Sequence, residues 1–367
     1  MKYYDVAIVG GSFSGLACAQ SAAAQGLKTI VFDRKKTPDA YTQSTGIFVK
    51  EVAEILNLPQ HLTRKISGIR LYSPNLQSID LYSDQYYFLA TDTTQVLDWM
   101  SRQVKIKGGI VRYGHHVEAI AKKNDRYRFM NENVSCSYLV GADGAKSKIA
   151  QHFSLGKNKD YLLGAEYEVE GLDHLDPDCL HVFLDSRYAP GYIGWVLQGV
   201  KHTQVGVAVN TPNKPDMQGF LMHLLKHFGG SANIIGRRGG YIPSGGIVAP
   251  FAKDNLCLLG DAAGMVSPLT AGGIHPAIEI GQQLGNSIAD YLYRGGERPQ
   301  AAIQKILPHY YFKRPLRQCY QSFPPPNWLL NSLIGNNSFR RIAQIIFFHH
   351  RGLLCKEAWK EIICSLN

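Results

Sequence analysis

The stretch Asp5-Val6-Ala7-Ile8-Val9-Gly10-Gly11-Ser12-Phe13-Ser14-Gly15-Leu16 decides the fold. An apolar run of strand length meets a Gly/Ser turn, and an Ala-rich helix follows to about Gln25. A second apolar run, Thr29-Ile30-Val31-Phe32, ends on Asp33. Strand, tight turn, helix, strand and acid, in that order, make a dinucleotide-binding unit. Gly10 allows the sharp turn. Ser12, which replaces the second glycine of the usual pattern, and Ser14 keep the loop small enough for its backbone to approach a pyrophosphate. Gly15 lets the helix lie close to the strand, and the free N–H groups at the helix start, from Phe13 onward, hold the phosphates. Asp33 is placed to accept hydrogen bonds from a ribose hydroxyl, with Arg34 beside it as a further contact.

Two later stretches repeat the strand-to-Gly/Asp pattern. Tyr138-Leu139-Val140-Gly141-Ala142-Asp143-Gly144 runs from an apolar strand into a turn and a short helix, and Asp143 is expected to receive cofactor hydroxyls. Taken alone, Asp-Gly is also a common turn. Asn255-Leu256-Cys257-Leu258-Leu259-Gly260-Asp261-Ala262-Ala263-Gly264 ends in a Pro/Gly-rich loop through Pro268, Gly272, Gly273 and Ile274. A helix begins near His275 and runs to about Tyr293. Helix-start N–H groups behind a Gly-Gly loop form an anion or carbonyl site. Gln43-Ser44-Thr45-Gly46-Ile47 is a small polar stretch before a helical pattern over Val49 to Leu56.

Between these signals the chain alternates. Residues near 68–90 read as antiparallel strands, and Thr91-Asp92-Thr93-Thr94 caps a helix with Val96, Leu97, Trp99, Met100 and Val104 on its apolar face. From 160 to 250 the chain is mostly strands, interrupted by an amphipathic helix over Met217–Phe228. The expected fold class is α/β: a doubly wound Rossmann-like domain from segments 1–60, 92–150 and 250–300, a mostly antiparallel substrate domain from 61–91 and 151–249, and a helical C-terminal region over 301–367.

Composition sets bounds on function. The 367 residues are too many for one small core, and 45% of them are apolar, which fits a globular chain. No apolar run is long enough to span a membrane. The first strand starts at once, leaving no room for a signal peptide, so a cytoplasmic protein is expected. The seven cysteines show neither CxxC nor metal spacing, so no metal is expected. The +10 formal charge comes without any nucleic-acid motif, and no nucleic-acid partner is expected. Tyr310 to Arg314, Phe323 to Trp328 and Phe339 to Phe348 mix aromatic, apolar and basic residues. They read either as helices packed on the sheet domain or as a peripheral membrane contact.

Together the three motifs resemble the FAD-binding group that includes aromatic hydroxylases, flavin halogenases and geranylgeranyl reductases. The loop Gly260 to Ile274 is most similar to the geranylgeranyl reductase branch. That branch has a Tyr/Phe-x-Trp-x-Phe-Pro strand whose aromatics line an isoprenoid pocket, and Tyr192-Ile193-Gly194-Trp195-Val196 resembles it, with Leu197-Gln198 where Phe-Pro is usual. The branch's cysteine-glycine stretch near the flavin is Gln43-Ser44-Thr45-Gly46 here, so the resemblance adds Ser44, Thr45 and Gly46 to the expected cofactor contacts, with Val117 beside them, while Thr93 and Ala150 stand where arginines are usual. Halogenases are disfavoured, because their Trp-x-Trp-x-Ile-Pro motif is missing. The resemblance implies FAD as cofactor, with Asp33 on adenosine ribose, Asp261 on ribityl or pyrophosphate, and NAD(P)H as a candidate electron donor. It implies an FAD-dependent oxidoreductase that reduces carbon–carbon double bonds of a small hydrophobic, isoprenoid-like substrate. Alternatives are a flavin monooxygenase that hydroxylates or epoxidises its substrate, and an FAD-binding protein without catalysis. No catalytic residue is assigned. Tyr192 and Trp195 are the substrate contacts; three apart on a strand, they are expected on opposite faces unless Gly194 carries a bulge.

Overall fold

A computed structural model of the chain describes all residues except 39, 41–43, 85, 118, 173 and 349–367. Gln43, Cys355, Cys364 and the end of the C-terminal region therefore lie outside the described residues. The chain forms two compact units: residues 1–43, 93–161 and 241–315, and residues 44–92, 162–240 and 316–367.

The first unit is built on a parallel sheet whose strands run in the order Leu256–Leu258, Val134–Gly141, Lys2–Val9, Thr29–Asp33 and Ile110–Tyr113. Val6, Ala7, Ile8, Ile30, Val31 and Phe32 are fully buried, as strands covered on both faces require. The Ala-rich helix Phe13–Ala24 packs against both the long helix Ile274–Arg294 and the helix Thr93–Ile106. In the last of these, Val96, Leu97, Met100 and Val104 are buried, as their spacing predicts. A hairpin, Ile120–Lys123 with Arg126–Phe129, adds antiparallel strands to Val134–Gly141 and was not expected from the sequence.

Chain direction makes this sheet a binding scaffold. From Lys2–Val9 the chain moves through a helix to Thr29–Asp33 on one side, and later returns to Val134–Gly141 on the other. The strand order therefore reverses at Lys2–Val9, and ligands bind beyond the carboxyl ends of strands at such a reversal. Val9 is paired with Gly141, and Gly141 with Leu258. This register puts all three Gly/Asp stretches on one edge.

The second unit holds a seven-stranded sheet in the order Asn233–Pro243, Tyr161–Glu170, Thr203–Asn210, Gly194–Gln198, Cys179–Phe183, Gly68–Tyr72 and Ser78–Tyr82. The first two strands end in residues of the first unit. Pairing is mostly antiparallel: Gly68–Tyr72 pairs antiparallel with Ser78–Tyr82, as expected for residues 68–90, and on its other side runs parallel to Cys179–Phe183. A small sheet joins Ile47–Val49, Phe88–Thr91 and Thr63–Ile66. The helix Met217–Phe228 spans the residues its amphipathic pattern predicts, and buries Phe220, Leu221 and Leu224 against Val196, Val205 and Val207. Unit boundaries differ from the sequence expectation: residues 44–60 belong with this second unit, and the C-terminal helices divide after Pro315.

Candidate cofactor and substrate sites

The turn after the first strand leaves no space to spare. Gly10 has φ of +113°, and a Cβ there would overlap the carbonyl oxygen of Ala142 on the neighbouring strand exit. A Cβ on Gly15 would overlap the carbonyl of Gly10. The helix Phe13–Ala24 begins at exposed Ser12, with no side-chain cap and no acid in its first turn. The long helix Ile274–Arg294 begins at Gly273 in the same way, uncapped and without an early acid. Gly260, at φ of +60°, joins the two: its Cβ would come 2.6 Å from Ser14 Oγ and 3.9 Å from Ala277 Cβ. Two helix starts, each carrying a partial positive charge, thus abut one glycine.

Three acids were expected at this edge, and the structure treats each differently. Asp33 is 7% exposed; its Oδ2 accepts from Gly11 N at 2.6 Å and its Oδ1 from Lys35 N at 2.7 Å. Those bonds fix the carboxylate beside the glycine turn and leave each oxygen a further lone pair for a hydroxyl. Asp143 faces its own chain: Oδ1 accepts from Ser147 Oγ at 2.6 Å, and Oδ2 from Lys148 N and Ile149 N at 2.6 and 3.1 Å. It fastens the start of the helix Lys148–His152, together with the Ser147 cap on Ala150 N. Asp261 is half-buried, and its carboxylate receives no hydrogen bond from the described residues. Burial pushes its pKa up to about 6. Its Oδ1 lies 3.6 Å from where a Gly273 Cβ would stand.

The remaining expected contacts divide between the units. Arg34 is exposed after the second strand. Val117 is half-buried in the segment that leaves Ile110–Tyr113, where His115 N donates to the carbonyl of Asp33. Pro268 is buried, and its loop closes on itself through Ser267 N to Gly272 O at 3.1 Å, which places Gly272, Gly273 and Ile274 at the long helix's start. Ser44, Thr45 and Gly46 lie in the second unit, where Gly46 O accepts from Thr91 Oγ1 at 2.8 Å.

Trp195 belongs to a polar row that the sequence did not reveal. Register aligns it with Gly206 on the next strand, and Gly206 with Glu166 on the one after. A Cβ on Gly206 would run into the indole, so the ring lies across that glycine. Trp195 Nε1 then donates to Glu166 Oε2 at 3.0 Å, and Arg238 Nε donates to Glu166 Oε1 at 2.5 Å. Thr45 also hydrogen-bonds Glu166. Glu166 is 3% exposed, and burial raises its pKa despite these partners. Tyr192 departs from the expectation. The strand begins only at Gly194, which pairs regularly with Phe183 and Val207, so there is no bulge and the alternation does not extend to Tyr192. Tyr192 sits in the preceding turn, its ring 5.5 Å from the guanidinium of buried Arg317.

The four cysteines 18, 136, 179 and 257 are buried and free, and the described residues contain no cluster able to hold a metal. The edge of the first unit does fit a dinucleotide such as FAD: two uncapped helix starts suit phosphate, and two carboxylates with open lone pairs suit hydroxyls.

No protein-family model matches the chain. It is 25% identical over 313 residues to digeranylgeranylglycerophospholipid reductase 1 of Methanothermobacter thermautotrophicus, covering 79% of this chain and 78% of that one. With the digeranylgeranylglycerophospholipid reductase of Thermoplasma acidophilum it shares 24% identity, over 94% of this chain and 92% of that one. The chain resembles the geranylgeranyl reductase branch of the FAD-dependent oxidoreductases. The solved geranylgeranyl bacteriochlorophyll reductase-like protein of Thermoplasma acidophilum has the same fold, with a TM-score of 0.82 at 20% identity over 99% of both chains. Both of these reductase relatives are matched over more than three-quarters of their length, so the likeness includes both units.

Proposed function

We propose that the chain is an FAD-dependent oxidoreductase that saturates carbon–carbon double bonds of a hydrophobic, isoprenoid-bearing substrate. One observation carries the reading: the uncapped starts of two helices meet at Gly260 beside a donorless carboxylate, in a chain that resembles these reductases along most of its length. Bound FAD would supply the reducing equivalents. The chain's own groups bind and orient. N–H groups at the start of Phe13–Ala24 hold phosphate, Asp33 accepts from the adenosine ribose, and Asp261 accepts from a hydroxyl nearer the long helix. Trp195, held in one plane by Glu166 and Gly206, gives the substrate a flat apolar wall.

A substrate of this kind resides in membranes, and the C-terminal segment suits a bilayer surface. Tyr311, Phe312, Leu316, Phe323 and Trp328 are each more than half exposed, with Lys313 and Arg314 among them. No described helix is long and apolar enough to cross a membrane.

The test is anaerobic. FAD-loaded protein, reduced chemically and mixed with an isoprenoid lipid, should yield the saturated product. Stoichiometric oxygen use with a hydroxylated or epoxidised product would replace this reading with the monooxygenase, and no product under either condition would leave a binding protein. Trp195→Phe should keep FAD content and raise KM for the lipid more than it lowers kcat. A Trp195→Ala variant that loses about 3–5 kcal/mol of stability would instead make the indole a core filler.

A further inference from the structure

The donors on Glu166 are of two kinds. Arg238 is charged, but it is shared: its Nε donates to Glu166 Oε1, and its Nη2 lies 3.2 Å from Glu168 Oε1. One guanidinium thus faces two carboxylates, and the three groups together carry one excess negative charge. Glu168 is partly exposed and has water to help it, whereas Glu166 is 3% exposed. Ionised Glu166 therefore depends on two neutral donors, the Trp195 indole and the Thr45 hydroxyl.

Thr45 is the fixed member of that pair. Beside it, Gly46 N donates to Ser44 Oγ at 3.3 Å and Gly46 O accepts from Thr91 Oγ1 at 2.8 Å. Ile47 then pairs with Ala90 in the small sheet. The backbone at Thr45 is set by these neighbours and not by Glu166. The indole, by contrast, is placed by Glu166 Oε2 and by the bare backbone of Gly206.

Burial already pushes the Glu166 pKa up. Without the Thr45 hydroxyl, a desolvated carboxylate responds by taking up a proton. The proton settles on Oε2, because Oε1 faces the guanidinium. A protonated Oε2 is a poorer acceptor, so Trp195 Nε1 loses its hold and the ring is free to leave Gly206.

We infer that Thr45 is a positioning residue for the substrate wall: its hydroxyl keeps Glu166 an acceptor and thereby holds the Trp195 indole across Gly206. This role replaces the cofactor contact that the resemblance assigns to Thr45. Cysteine, which the reductase branch carries in this stretch, offers only a weak S–H donor and could not hold Glu166 as well. The role rests on reading Trp195 as the substrate wall, but its first readout does not.

The test uses FAD-loaded protein carrying isotope-labelled tryptophan. The Trp195 indole N–H resonance, assigned as the one lost in Trp195→Phe, is followed against pH. In wild type it should shift as Glu166 protonates. In Thr45→Val the midpoint should lie about one pH unit or more higher, because a hydrogen bond to a charged group is gone while Arg238 and Glu168 remain. Thr45→Ser should restore the midpoint, and Thr45→Cys should fall between. KM for an isoprenoid lipid should rise about tenfold in Thr45→Val with a smaller change in kcat, and no further when Thr45→Val is added to Trp195→Phe. FAD content should be the same throughout. An indole resonance blind to pH, or one with the same midpoint in Thr45→Val, overturns the inference. So does a folded Thr45→Val protein depleted of FAD, which would return Thr45 to the cofactor. A midpoint that moves while KM does not overturns the substrate wall itself, and the positioning role with it.

Discussion

The two units treat a carboxylate drawn out of solvent, fully at Glu166 and in part at Asp261, in opposite ways. Glu166 in the second unit is closed in by Trp195, Arg238 and Thr45, and its oxygens are engaged from several strands. Asp261 in the first unit is left with no donor among the described residues and a pKa pushed up to about 6. A satisfied acid is part of the scaffold, because removing it strands its partners. An unsatisfied one costs stability in the free protein and recovers that cost only when a ligand donates to it. The contrast separates residues that hold the protein together from residues kept ready for something else.

The most severe break is at the open edge itself. Gly10→Val combines a forbidden φ with overlap on Ala142 O, together about 5 kcal/mol. The purified variant should be colourless and unable to take up FAD. Normal FAD uptake would remove this edge as the phosphate site.

Next comes the closed acid. Glu166→Leu leaves the Arg238 guanidinium, whose side chain is 10% exposed, without its nearest carboxylate. Loss of one partner from a buried pair costs about 3–5 kcal/mol, read as a fall in denaturation midpoint. Glu166→Gln keeps one acceptor oxygen for Trp195 or Arg238 and should cost less. If both variants are as stable as wild type, Glu166 is not a structural acid and the contrast fails.

Asp261 should respond through pH. Its folded pKa lies above the ordinary 3.8, so between about 4 and 6 the folded state binds more protons than the unfolded one. FAD-free protein should therefore gain stability from this group as pH falls from 6 towards 4, on the order of 2–3 kcal/mol in full. Burial shifts Glu166 in the same direction, so the measurement is the difference from Asp261→Asn, which should lack Asp261's share. At pH 7 Asp261→Asn should match or exceed wild-type stability while binding FAD about tenfold or more weakly. Equal FAD affinity would mean that no cofactor hydroxyl reaches this acid.

The smallest effect sharpens the role of Asp143. As a fastener of its own helix start, Asp143→Ala should cost about 1 kcal/mol and leave FAD content unchanged. A stable variant depleted of FAD would return Asp143 to the cofactor contacts.

Local chemistry explains what was legible in the sequence. Strand, glycine turn and acid are each written in a few neighbouring residues, so the edge carrying Gly10, Gly141 and Gly260 could be read directly. The Met217–Phe228 helix was equally plain from its period. The hairpin at 120–129 was hidden, since Lys122, Lys123, Asn124, Asp125 and Arg126 give four-residue strands little apolar alternation. Glu166 was invisible as a hub because Trp195 is 29 residues away and Arg238 is 72 away, and only strand order brings them together. The strand through Trp195 was started too early, at Tyr192, because periodicity cannot say where a strand begins. Nor could sequence tell Asp143 from Asp261: both follow an apolar strand, and only three-dimensional neighbours show that one is satisfied and the other is not.

The pairing of Val9 with Gly141 and of Gly141 with Leu258 also has a consequence for synthesis on the ribosome. The opening strand waits for more than half the polypeptide to emerge before its last fingerprint exists, and the long helix beside that fingerprint comes later still. Contacts of such sequence separation form slowly and leave apolar strand faces open meanwhile. A dinucleotide at this edge can therefore stabilise the nascent chain only once the segment through Arg294 has emerged. Cofactor supply should raise yield only from that point of synthesis onward.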